Sequence, residues 1–142
     1  MFRKSRNESC YINAKSRQAS DEIGNALEYY ISHADLLWTE LIFLCIGSDR
    51  ITGDCLGPLI GHQLDRPSIR PYTVYGTLDY PVHALNLADV LCDIQYTHPQ
   101  GLIIAIDACL GSSSHQGYIC VGKGSILPGA GVRKDLPAVG HI

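Results

Sequence analysis

Two uninterrupted apolar runs constrain this chain more than any other feature. Leu41-Ile42-Phe43-Leu44-Cys45-Ile46 is six apolar residues ended by Gly47, and Leu102-Ile103-Ile104-Ala105-Ile106 is five ended by Asp107. Each run is too short for a helix and has no polar alternate face, so each fits a strand covered on both sides. Strands of that kind belong to parallel sheets packed between helices. The intervening segments supply the helices. Ser20 can cap a helix with Asp21 and Glu22 in its first turn, and Ile23, Leu27, Tyr30, Ile31, Ala34 and Leu37 recur at spacings of three and four, which carries it to about Leu37. Pro58 suits an early helical turn ahead of Leu59, Ile60 and Leu64, and Pro81 opens a helical pattern through Ala84, Leu85, Leu87, Ala88, Leu91 and Ile94. The β-rich stretches Tyr72–Leu78 and Tyr118–Val121 add two strands. The alternation predicts an α/β class, a three-layer α/β/α domain around a mostly parallel central sheet.

At 142 residues the chain has room for one such domain. Charge marks where it starts: residues 1–20 hold five of the 11 Lys and Arg with one acid, Glu8, while the rest carries a formal −7. Residues 1–19, without apolar periodicity, read as a flexible basic arm dispensable to the fold, and residues 20–142 as the single α/β domain. The overall charge of −3 gives no electrostatic case for a nucleic-acid partner. The arm lacks the apolar stretch of a secretory signal and no run approaches the ~18 residues of a membrane span, so a cytoplasmic protein with no membrane partner is expected. Six cysteines without a C-x-x-C pair do not read as a zinc ribbon or a disulfide framework, and Cys45 and Cys120 read as small packing residues of a reducing compartment. After the Gly/Pro loop Gly124–Gly131, which lacks the order of a nucleotide-binding P-loop, residues 132–142 leave the sheet without a final strand and covering helix, so the chain reads as a piece of a longer protein.

In an open α/β sheet chemistry gathers outside the carboxyl ends of the strands. Three acids fall there: Asp54 in the loop after the first apolar run, Asp79 after the second strand and Asp107 after the second apolar run. Two carboxylates forced together cannot both ionise cheaply, so one keeps a proton as acid while its partner serves as base toward water. Each acid can equally cap the helix that follows its strand.

The segments Ile46-Gly47-Ser48-Asp49-Arg50-Ile51-Thr52-Gly53-Asp54-Cys55-Leu56-Gly57-Pro58, Tyr75-Gly76-Thr77-Leu78-Asp79 with Pro81-Val82-His83-Ala84, Ala105-Ile106-Asp107-Ala108-Cys109-Leu110-Gly111 and Leu127-Pro128-Gly129-Ala130-Gly131-Val132, in this order, resemble the YyaC-type sporulation proteins of endospore-forming bacteria. That resemblance implies a hydrolase-type fold similar to the spore germination protease and the hydrogenase maturation endopeptidases. Thr52, Asp54, Leu56, Gly57 and Pro58 fall on the germination protease's Thr-Pro-Asp-Ala-Leu-Gly-Pro segment, with Gly53 in place of its Pro, and Ile106-Asp107-Ala108 falls on its Ile-Asp-Ala.

The resemblance thereby implies Asp54 and Asp107 as the catalytic acids, with Asp49, Thr52, Asp79 and His83 in supporting or substrate-binding positions. It implies a sporulation-associated peptidase, with a peptide or protein substrate in the developing spore, located in the cytoplasm of the forming spore or mother cell; oligomerisation stays open. The alternatives are a catalytically inactive binding or scaffold protein of spore formation and a metal-dependent maturation-type endopeptidase, in which His83 or His141 would join the two acids. The expectation is no metal and no cofactor, since three ligands from distant loops are a weak pattern. Cys55 and Cys109 flank the acids but have no neighbouring base in sequence to make a thiolate nucleophile.

Overall fold

A computed structural model describes residues 9–128 and 136–142; residues 1–8 of the basic arm and 129–135 of the Gly/Pro loop lie outside the described residues. The contacts divide the chain into two compact units, one formed by the segment up to Asp35 with Gly111–Gly124 and Ile142, the other by Leu36–Leu110 with Ser125–His141.

The second unit holds the two apolar runs. They become β2 (Glu40–Cys45) and β4 (Gly101–Ile106), joined through α2 (Leu56–Asp65), β3 (Thr73–Tyr75) and α3 (Leu87–Thr97). All three strands are parallel in the order β3-β2-β4, with Leu44 opposite Tyr75 on one side and Ala105 on the other. Side chains alternate across the pleat, so Ile42 and Leu44 face one way and Phe43 and Cys45 the other. Ile42, Leu44 and Ile46 pack in one cluster with Leu87 and Ile94 of α3. On the opposite face α2 lies so close that a Cβ on Gly61 would touch Cys45, and one on Gly57 would collide with the Ile46 backbone. Helix, parallel sheet and helix give the expected three layers. Burying Ile42, Leu44, Leu87 and Ile94, each at most 1% exposed, contributes about 1.5–3 kcal/mol apiece.

The helix expected from Pro81 begins six residues later. Val82 forms a parallel bridge with Ile46, and the Gly47 N–H donates to the Val82 carbonyl at 2.8 Å. Asn86 then accepts from the His83 N–H at 2.8 Å and donates to the Pro81 carbonyl at 2.9 Å. These bonds hold 81–86 out of helical geometry and start α3 at Leu87. Further along, Ile126 and Val139 exchange backbone bonds at 2.8 and 2.9 Å. His141 meets β4, giving its N–H to the Ile103 carbonyl at 2.8 Å and taking the Ile103 N–H on Nδ1 at 2.9 Å.

The first unit corrects the arm and the sheet. Ser9–Asn13 is strand β1, not free arm, and it pairs antiparallel with β5 (Tyr118–Gly122), Ile12 opposite Ile119. β5 therefore belongs to a two-stranded ribbon and not to the parallel sheet. The signal in residues 9–13 is a single period-two alternation whose partner lies more than a hundred residues away, so nothing local reveals it. Ile12 and Val121 are buried while Tyr11, Tyr118 and Cys120, on the alternate positions, are exposed; Cys120 is thus not a packing residue. Helix α1 (Ala19–Ser32) contacts both strands and buries Ala19 and Tyr30. It stops short of Leu37 because His33 leaves helical geometry while its N–H closes the last turn on Tyr29. Leu37, 94% exposed, is no part of its apolar face.

Candidate active site

The strand order decides which acids meet. From β2 the chain crosses to β3 on one side, and from β3 it crosses back over β2 to β4 on the other. The carboxyl ends of β2 and β4 are thus neighbours at the point where the direction of the crossovers reverses, the crevice where open α/β sheets bind ligands. Asp107 follows β4 directly, and the Ile46 N–H donates to the Ile106 carbonyl at 2.8 Å, which sets Asp107 beside the end of β2.

Asp54 returns to the same place through a pinned loop. Gly47 adopts φ +150°, and a Cβ there would collide with the Asp54 carbonyl, so only glycine lets the loop close so tightly. The Ser48 N–H reaches both the Asp54 carbonyl at 2.9 Å and its carboxylate Oδ2 at 3.0 Å, and the Arg50 N–H donates to Ser48 Oγ at 3.1 Å. Cys55 and Leu56 then start α2.

The charge of Asp54 reaches Asp107. Burial, and next the charge of Asp54, push the Asp107 carboxyl up from 3.8 to about 6, against a smaller opposing pull from the Ala108 N–H. Asp107 therefore keeps its proton to about pH 6 beside the charge of Asp54, an asymmetry suited to proton transfer to and from water.

Among the described residues the other sequence candidates make no hydrogen bond to either acid. Asp49 and Thr52 are exposed on the β2–α2 loop, without a side-chain bond to either acid. Asp79 sits on a tight turn closed by Thr77, whose N–H donates to the Tyr80 carbonyl at 3.1 Å and whose Oγ1 accepts the Tyr80 N–H at 3.0 Å. That turn follows β3, across β2 from β4. Asp79 and His83 line a separate cleft of about 470 Å³ that includes neither Asp54 nor Asp107. His83 Nδ1 accepts the Leu85 N–H at 3.2 Å, which places the ring proton on Nε2.

His141 is bound to Ile103, four residues before Asp107 and so ~13 Å down the strand, and burial lowers its pKa. Among the described residues no three His, Cys, Asp or Glu side chains converge as metal ligands. Cys55 is half-buried and Cys109 exposed. Sequence reasoning misses Ser48, whose N–H braces Asp54, and the Ala108 N–H at Asp107, because backbone donors leave no residue-type signal. It also misses His141 as a partner of β4.

Among the described residues no helix is long and apolar enough to cross a membrane. Comparison with known proteins shows what the chain is similar to. The family described as "Protein of unknown function (DUF1256)" matches residues 11–142. "Uncharacterized protein YyaC" of Bacillus subtilis (strain 168) is 48% identical over 102 residues, covering 72% of this chain and 50% of its own length, so the chain spans about half the length of the curated relative it matches. No solved structure matches.

Proposed function

We propose, for a chain that belongs to the DUF1256 family, that Asp54 and Asp107 form a water-activating pair that hydrolyses peptide bonds. The observation that carries this reading is the convergence of two acids from different loops at the switch point between β2 and β4, with Asp107 protonated toward neutral pH by burial and by the charge of Asp54. The Asp54 carboxylate takes a proton from water as its oxygen attacks the carbonyl carbon. The Asp107 carboxyl gives its proton to the carbonyl oxygen. Collapse of the tetrahedral intermediate, with proton transfer to the leaving nitrogen, frees an acid and an amine. The resemblance of the Thr52–Pro58 and Ile106–Ala108 segments to the germination protease supports a peptide substrate, a related fold and a setting in spore formation.

The decisive experiment incubates the chain with a mixture of synthetic decapeptides in ¹⁸O-labelled water and reads products by mass spectrometry. Cleavage should place one labelled oxygen in the new carboxylate, decline as pH rises through about 6 while Asp107 loses its proton, and vanish in Asp54→Asn and Asp107→Asn. Absence of cleavage from pH 4 to 8 defeats the proposal. A second reading is favoured by one observation: each acid also accepts a local N–H, from Ser48 and from Ala108. In that reading the acids brace their loops in a binding protein, and the Asn variants keep the ligand-binding surface but lose stability.

A further inference from the structure

Among the described residues, the cleft that holds Asp79 and His83 borders the free edge of β3. Val74, Tyr75, Gly76 and Thr77, four consecutive residues, all line it. Side chains alternate between the faces of a sheet, so consecutive residues border one cleft only if that cleft runs along the backbone edge. Its walls come from both helix layers, Asp65 in the last turn of α2 and Val90 in α3. Among the described residues β3 pairs with β2 alone, so its outer edge faces this slot. Val74 and Tyr75 belong to β3, Gly76 at φ +89° turns the chain into the Thr77–Tyr80 turn, and the loop from Thr77 to Asn86 closes one end, so the cleft of about 470 Å³ suits a short extended segment beside the last two residues of β3.

The charge of the slot selects the segment. Among the described residues no Lys or Arg lines it, while Asp65 and Asp79 do, with His83 beside them. Asp65 is matched by Arg70 at 2.5 Å, but Asp79 stands exposed on its turn with no ion pair among the described residues. Tyr80, 82% exposed, adds an aromatic rim. We infer that the β3 edge is a docking groove that binds an extended, basic segment of a partner polypeptide by strand addition, with main-chain bonds to β3 and a Lys or Arg side chain paired with Asp79. This deepens the peptidase reading and rests on it in one respect, that the docked segment is substrate. A strand on β3 has one end at the carboxyl rim, where Asp107 at the end of β4 lies three strand spacings away, ~14 Å or about four extended residues. The bond to be cut then lies about four residues beyond the docked part.

The test uses a fluorescein-labelled decapeptide of alternating Val and Lys, titrated by anisotropy against the wild-type chain and against Asp107→Asn. Saturable binding to both is expected, at least tenfold weaker for the Val/Glu peptide, at least fivefold weaker in Asp79→Lys, and lost when alternate peptide nitrogens on the pairing edge are methylated. Two peptides, methylated on odd or on even nitrogens, cover both registers, and one of them must lose binding. Equal binding of Val/Lys and Val/Glu, binding unaffected by either methylation pattern, or no binding at all overturns the groove. A dimer in sedimentation that the Val/Lys peptide does not dissociate also overturns it, by placing a second copy on the edge. Binding as expected without cleavage leaves the groove standing and removes only the peptidase reading.

Discussion

Replacing Asp107 by Asn should stabilise the protein at neutral pH. The native fold holds the Asp107 proton up to about pH 6 instead of 3.8. The folded state therefore binds more protons than the unfolded chain between these values, and stability is lost as pH rises from about 4 through about 6. The difference corresponds to about 3 kcal/mol at ~1.4 kcal/mol per pH unit; because the carboxyl is only half-buried, solvent screening brings this to about 1–2 kcal/mol. Asn keeps the shape without the charge, so at pH 7–8 the variant should exceed wild type by that amount, roughly 3–8 °C in Tm for a chain of this size. At pH 4, where Asp107 is already neutral, the two should melt together. Differential scanning calorimetry at pH 4, 5, 6, 7 and 8 measures the difference directly. If the Asn variant melts lower than wild type at pH 7, or if its offset is the same at pH 4 and pH 8, the electrostatic account of the pair is wrong and Asp107 is a loop brace.

Three further outcomes follow from the packing. Deleting residues 1–18, which removes β1 and buried Ile12, should lower the melting temperature by several degrees and expose β5 to rapid amide hydrogen exchange; unchanged protection in β5 would show that the ribbon contributes nothing. Leu87→Ala, at a site 0% exposed in the core cluster, should cost about 2–5 kcal/mol in urea unfolding. His141 is held neutral by burial while its Nδ1 accepts the Ile103 N–H. The unfolded chain takes up a proton there before the folded one does, so this contribution to stability is lost as pH falls below about 6.5. His141→Phe should flatten that part of the pH–stability curve, and an unaltered slope would refute the assignment.

The sequence by itself determined the class of this fold and the places where acids end its strands. Leu41–Ile46 and Leu102–Ile106 cannot satisfy an amphipathic position, so burial on both faces and hence a parallel sheet between helices is legible in composition alone. Asp54 and Asp107 are legible as strand-end acids for the same reason. The tertiary structure decided everything that depends on which strand lies beside which. Period-two alternation in Ser9–Asn13 carries no address, so only the fold reveals that its partner is Tyr118–Gly122 and that β5 leaves the parallel sheet. Asp79 looks equivalent to the other two acids along the chain, yet the order β3-β2-β4 puts it across β2 from the pair. The raised pKa of Asp107 likewise arises from desolvation and from a charge fifty-three positions away in sequence, and both exist only once β4 has been laid against β2.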